Sequence, residues 1–280
     1  MVALKCGGRE LDLASTAVMG ILNITPDSFA DGGVFMAPDK AVARAVDMAG
    51  QGAAIIDIGG ESTRPGAEAV DAQQEMDRVL PVIEAVAAVV DIPVSIDTAK
   101  PEVMRAAVAA GAGLINDVCA LQLDGALQAA SECKVPVCLM HMQGEPRTMQ
   151  ENPQYGDVVV DVTAFLEQRI KAAVDAGIDK ASIVIDPGFG FGKLLAHNMA
   201  LLNNLQEFKA LGVTIMAGLS RKSMIGMVLD LPVEQRLHAS VALALIAAQN
   251  GARIIRVHDV APTVQALRMW EAVSGGYPRE

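Results

Sequence analysis

One unit repeats along this chain and limits what it can fold into: a short apolar run, a polar residue at its end, then an amphipathic helical stretch. The apolar runs are Val18–Ile24, Ala54–Ile58, Pro93–Ile96, Leu114–Ile115, Val135–Met140, Ile183–Ile185, Val213–Ala217 and Ile254–Val257. Helical stretches follow near Asp39–Gln51, Asp71–Val90, from Pro101, near Gly125–Cys133, Val158–Ala176, Asn198–Leu211, Val233–Asn250 and from Pro262. Parallel strands need helical crossovers. Eight such units in about 250 residues predict an α/β fold, the (β/α)8 TIM barrel. An open doubly wound sheet is the structural alternative. Ahead of the repeat, Leu4–Cys6 and Glu10–Leu13 flank Gly7-Gly8 and predict a short N-terminal β-hairpin covering one end of the core. No linker or low-complexity segment interrupts residues 1–280, so one domain is expected.

A barrel of this kind carries its site at the C-terminal ends of its strands. The residues there are Asn23, Glu61, Thr63, Arg64, Asp97, Asn116, Asp117, His141, Asp186, Lys222, Arg256 and His258. Asp186 is the most telling. It ends the run Ile183–Ile185, and Pro187 stops the strand because it cannot donate to a ladder. Gly188, Gly190 and Gly192 then form a loop whose backbone can approach a ligand. The loop is neither a P-loop nor a dinucleotide fingerprint: Lys193 is followed by Leu194, and the third fingerprint glycine is missing. Asp97, Asn116 and Asp186 offer acceptors and amide donors to a flat heterocycle with several N–H groups. Arg64, Lys222, Arg256 and His258 are cations suited to an anion, and a helix start after His258 adds backbone N–H groups. Two loops, 25–33 and 60–66, read as lids, with Phe29 covering something apolar. The segment His141–Gln154 receives no distinct role.

Composition closes off other classes. A net charge of −11 speaks against nucleic-acid and membrane-surface partners. No apolar run approaches the roughly 20 residues of a membrane span, and the N-terminal residues lack the apolar core of a signal peptide. Cys6, Cys119, Cys133 and Cys138 have no zinc spacing and suit buried positions in a reducing compartment, so a cytoplasmic protein is expected. His197 and His238 fall in helical stretches and read as surface residues. The nearest hard-metal ligand is Asn23, whose side-chain oxygen could complete a Mg²⁺ shell with phosphate and water.

Several stretches are long enough to carry a family resemblance. Met19–Phe29 (Met-Gly-Ile-Leu-Asn-Ile-Thr-Pro-Asp-Ser-Phe), Asp57–Gly66, Asp186–Lys193, Ser220–Ser223 and Arg256–Asp259 closely resemble the dihydropteroate synthase family in its bacterial single-domain form. The resemblance implies condensation of 6-hydroxymethyl-7,8-dihydropterin diphosphate with p-aminobenzoate, giving 7,8-dihydropteroate and diphosphate in folate synthesis. It implies a (β/α)8 barrel, a homodimer, Mg²⁺ and inhibition by sulfonamides. Positions matching the family's pterin pocket are Asp97, Asn116, Asp186 and Lys222. Those matching its diphosphate site are Asn23, Thr63, Arg64, Arg256 and His258. Those matching its p-aminobenzoate site are Phe29, Thr63, Pro65, Phe191, Ser220 and Lys222. Asp97, Lys222 and Arg256 are the expected catalytic residues. The alternatives are a methyltetrahydrofolate-dependent methyltransferase of the same barrel class, which needs no diphosphate site, and a catalytically silent pterin-binding paralogue.

Overall fold

A computed structural model describes residues 3–24, 38–62, 70–144 and 148–276. Ten strands run as β1 (Ala3–Cys6), β2 (Arg9–Asp12), β3 (Ala17–Asn23), β4 (Ile55–Gly59), β5 (Val94–Asp97), β6 (Leu114–Asp117), β7 (Val137–Met140), β8 (Ile183–Asp186), β9 (Thr214–Ala217) and β10 (Ile254–Val257) among these residues. Strands β3 to β10 are all parallel and close into one barrel, β10 pairing with β3 through Ile254↔Ala17 and Val257↔Gly20. The open-sheet alternative is therefore excluded.

The helices are α1 (Pro38–Gly50), α2 (Ala72–Val89), α3 (Pro101–Ala109), α4 (Ala126–Cys133), α5 (Val158–Asp175), α6 (Leu195–Asn203), α7 (Ser223–Leu229), α8 (Leu237–Gln249) and α9 (Val260–Glu271). Local chemistry explains several starts. Asp71 caps α2 by accepting the Gln74 N–H, Asp157 caps α5 by accepting from Val159 and Val160, and Pro101 opens α3.

Three expectations change in detail. The stretch Asn198–Leu211 is two elements: α6 ends at Asn203 and a 3-10 turn covers Leu205–Leu211. The stretch from Val233 is also split, with a 3-10 turn at Val233–Gln235 before α8. Helix α7 was not anticipated. It is only seven residues long, holds Gly226 inside, and ends on left-handed Asp230 (φ 54°), so no repeat of apolar positions announces it.

Side-chain alternation divides the barrel. Outward residues such as Ile56, Ile96, Ile115, Ile185 and Ile255 pack against Val79, Ile83, Val103, Leu166 and Leu201 of the helices. Inward residues Met19, Ile55, Leu114, Cys138, Val184, Met216 and Ile254 form a second buried cluster with Leu4, Cys6, Leu11 and Leu13. The hairpin thus plugs the N-terminal end of the barrel, as its position in the sequence suggested. Burying each such Leu or Ile contributes about 1.5–3 kcal/mol. The plug sits so close that a Cβ on Gly113 would overlap the Cys6 carbonyl. Gly113→Ala is therefore expected to destabilise the fold by about 1–3 kcal/mol, read as a lowered urea midpoint; an unchanged midpoint would mean that the hairpin can shift freely.

Candidate active site

The inward layer turns polar one step up the strands. Ile55, Leu114, Val184 and Ile254 line the apolar interior, and two residues on, Asp57, Asn116, Asp186 and Arg256 face the same way. Asp97, at the end of β5, joins them.

Arg256 ties this layer together. Its Nε donates to Asp57 Oδ2 at 2.6 Å and its Nη2 to Asp97 Oδ2 at 2.6 Å. Asn116 Nδ2 donates to the same Asp57 oxygen at 3.1 Å. Asp57 is fully buried, and its Oδ1 has no hydrogen-bond partner among the described residues. Burial pushes the Asp97 carboxyl up to about 7, with the Arg256 charge opposing and Asp57 adding to the rise. Burial also raises Asp186. Burial works against the charge on Arg256, but Asp57 and Asp97 hold the guanidinium above its ordinary value.

A second group lies beside it. The Asp186 carboxylate accepts the Gly188 N–H at 2.7 Å. Lys222 Nζ donates to the Phe189 carbonyl and lies 4.5 Å from the centroid of the Phe191 ring. Burial brings the Lys222 amine down to about 8, against the pull of Asp186. Ser220 Oγ accepts the His258 backbone N–H at 3.2 Å and lies 3.1 Å from its ring Nδ1. Next to them Arg221 makes a two-pronged pair with Asp259, at 2.8 and 2.7 Å, joining the loops after β9 and β10. Asn23 and Asp97 flank Gly59 at the strand ends, through the pairings Asn23↔Gly59 and Gly59↔Asp97.

The structure therefore brings together Asn23, Asp97, Asn116, Asp186, Phe191, Ser220, Lys222, Arg256 and His258. Phe29, Thr63, Arg64 and Pro65 lie outside the described residues, as do all but Gly60, Glu61 and Ser62 of the second expected lid. Three strand-end residues do not join. Glu61 pairs with Lys100 at 2.5 Å and accepts the Val70 N–H. Asp117 faces the helix layer and accepts the N–H groups of Cys119 and Leu121 at 2.7 Å each. His141 is buried against Lys193.

The cation Arg256 shares its inward layer with Asp57 and with the expected acceptors Asn116 and Asp186. The glycines of the loop after β8 are also required by the protein's own packing. Side chains on Gly188 and Gly192 would overlap the carbonyls of His141 and Gln143, so their loop folds against its own neighbours. At Gly190 the close neighbour is Lys222. The residue that sequence reasoning missed is Asp57. Its signal was an acid inside an apolar strand, Ile-Ile-Asp-Ile, at the same parity as inward Ile55.

Residues 19–258 match the family model described as pterin binding enzyme. A dihydropteroate synthase from Haemophilus influenzae is 54% identical, over 97% of this chain and 98% of that one. The chain belongs to the dihydropteroate synthase family. A dihydropteroate synthase of Xanthomonas albilineans solved with 4-aminobenzoic acid superposes with a TM-score of 0.93 at 54% identity, covering 99% of each chain. The same enzyme solved in complex with 7,8-dihydropteroate superposes at 0.90 and 52% identity, covering 99% of this chain and 100% of that one. These family relatives are named synthases, which favours the synthase over the methyltransferase alternative.

The partly buried ion pairs of Arg256 generate a stability prediction. Asp57→Ala would leave Arg256 with one of its two carboxylates and is expected to cost about 3 kcal/mol in urea unfolding. A loss under about 1 kcal/mol would mean that water screens the pair as it does at a surface.

Proposed function

We propose that this chain condenses 6-hydroxymethyl-7,8-dihydropterin diphosphate with p-aminobenzoate, releasing 7,8-dihydropteroate and diphosphate, a transferase step of folate synthesis. The observation that carries the reading is the set of buried Asn116 and Asp186 and half-buried Asp97 beside Lys222 and Arg256. It matches a flat ring rich in N–H groups joined to an anion. At the base of this set Asp57 Oδ1 is buried with no partner among the described residues, and such an acceptor is costly unless a ligand meets it.

Asp97, Asn116 and Asp186 hold the pterin, and Lys222 donates to its ring. Arg256, His258, Asn23, Thr63 and Arg64 hold the diphosphate. Phe29, Thr63, Pro65, Phe191, Ser220 and Lys222 form the p-aminobenzoate side. An aryl amine is a weak nucleophile, so the carbon–oxygen bond to diphosphate breaks first and leaves a pterin methylene cation. The amine nitrogen then bonds to the methylene carbon and gives its proton to solvent. Fixed charges at Arg256 and Lys222 stabilise the departing diphosphate, and Asp97 offsets the positive charge on the pterin.

Mg²⁺ fits the donor set. It is commonly held by one or two protein oxygens with substrate phosphates and water. Asn23 offers such an oxygen, and the described residues hold no group of three acidic, histidine or cysteine side chains that could cage a metal on their own. When bound, the ion neutralises charge on the diphosphate. A second copy of this chain is the proposed partner, supported by exposed Met227, Val228 and Leu229 on α7 and Ile246 on α8. A monomeric mass in light scattering would overturn that pairing. A cytoplasmic location is supported by four free cysteines, and no described helix is long and apolar enough to cross a membrane; cell fractionation tests it.

The decisive experiment mixes protein, Mg²⁺ and the pterin diphosphate with and without p-aminobenzoate. Dihydropteroate and diphosphate should form together, and a sulfonamide should stop both. Pterin binding with no product would overturn the proposed reaction and leave a silent paralogue. Lys222→Ala should lower turnover about 10²–10³-fold, and near-normal turnover would remove Lys222 from its role. In the wild type, kcat/KM for the pterin diphosphate should fall as pH rises through about 8, because Lys222 then loses the proton that attracts the anion. The Lys222→Ala profile should lack that limb.

A further inference from the structure

The loop carrying Phe191 rests on a buried lysine. Lys193 is 3% exposed. Its Nζ donates at 2.9 Å to the carbonyls of Gly188 and Phe191 and lies 2.9 Å from His141 Nδ1. Burial brings the Lys193 amine down to about 7, against the pull of Asp186; below that pH it is an ammonium with three N–H donors, and these three acceptors satisfy them. The His141 carbonyl stands slightly farther off, at 3.3 Å. Burial, reinforced by the Lys193 charge, holds the His141 ring down to about 3, so the imidazole is neutral and one nitrogen can accept. An unpaired buried ammonium would be costly, and an apolar side chain could fill the same space. What the ammonium adds is a tie between the end of β7 and two points of the loop after β8.

That tie reaches the mouth of the barrel. Phe191, whose carbonyl Lys193 holds, presents its ring to Lys222. Phe189, between the two tied residues, gives its carbonyl to Lys222. The loop is thus clasped by two lysines, Lys193 from the interior and Lys222 from the site. Around it, Asn198 Oδ1 accepts the Gly190 N–H at 2.7 Å and Tyr155 donates to the Gly192 carbonyl at 2.7 Å. The pterin side is tied to it less directly, through Gly188, whose N–H the Asp186 carboxylate accepts and whose carbonyl Lys193 holds. Asp186 lies in the β7–β8 ladder opposite Met140, and its carbonyl accepts the His141 N–H at 2.9 Å.

We propose that Lys193, with His141 as its acceptor, is a positioning residue that sets the p-aminobenzoate side of the site by fixing Phe191 and the Phe189 carbonyl against Lys222. The proposal rests on the synthase reading above. It also gives the start of the 141–154 segment a function.

Steady-state kinetics of Lys193→Met, with each substrate varied in turn, tests it. The KM for p-aminobenzoate should rise about tenfold or more, and that for the pterin diphosphate, whose contacts reach Lys193 only through Gly188 and Lys222, by a clearly smaller factor. His141→Leu, which removes the acceptor, should act in the same direction. His141→Asn, whose amide oxygen can take the place of Nδ1, should stay near wild type. Lys193→Met combined with His141→Leu should lose little more than Lys193→Met alone, because the two act as one unit. An equal rise in both KM values, or a lower unfolding temperature with KM unchanged, would overturn the proposal and leave Lys193 a general structural role. If Lys193→Met does not fold, the contrast between His141→Leu and His141→Asn decides. Normal wild-type turnover with unchanged KM in the variants sinks this proposal alone. Absence of wild-type turnover sinks the synthase reading and this proposal with it.

Discussion

Parity along a closed parallel barrel decides which side chains meet. Each strand turns alternate residues inward, and closure from β10 to β3 leaves no edge along which a strand could slip by one place. A one-residue slip of β4 would send Asp57 into the apolar helix layer and Ile56 into the site. The apolar plug below and the helix layer outside therefore hold the polar layer in register. That is why Asp57, Asn116, Asp186 and Arg256, spread over about two hundred residues of chain, come together with nothing local to join them.

Once assembled, the layer is electrostatically self-consistent. Arg256 spans Asp57 and Asp97, and Asn116 shares an oxygen of Asp57. The pairs are largely removed from solvent, so the Asp97 carboxyl and the Arg256 guanidinium depend on each other for their charge states. Such groups are weak evidence for stability and better evidence for a ligand that uses what they leave unsatisfied, such as Asp57 Oδ1.

The glycine loop after β8 shows a different kind of order. Its positive-φ residues, Gly188, Gly190 and Gly192, let the chain fold onto the carbonyls of residues 141 and 143 and onto Lys222. Lys193 satisfies its carbonyls from inside. The loop is therefore a preorganised wall, held by polar contacts with neighbouring segments.

The repeated apolar runs, their polar ends and the intervening helical stretches pointed to eight βα units, the N-terminal hairpin and the strand ends that carry the site, and the closure of β10 on β3 then decided for the barrel over an open sheet. The long motifs were enough to point to the family. These features are local: period, turn chemistry and the order of units. Tertiary structure decided the rest. Asp57 looks like an anomaly in an apolar strand until parity sets it opposite Arg256. Asp117, His141 and Glu61 sit at strand ends as convincingly as Asp97 does, yet the neighbours they meet turn them to capping, loop support and an ion pair with Lys100. Short α7 is held by contacts such as Arg236, which donates to the carbonyls of Leu231, Arg221 and Lys222. The side a residue faces follows from local pattern, but its partner there is set by residues far along the chain, which no local pattern encodes.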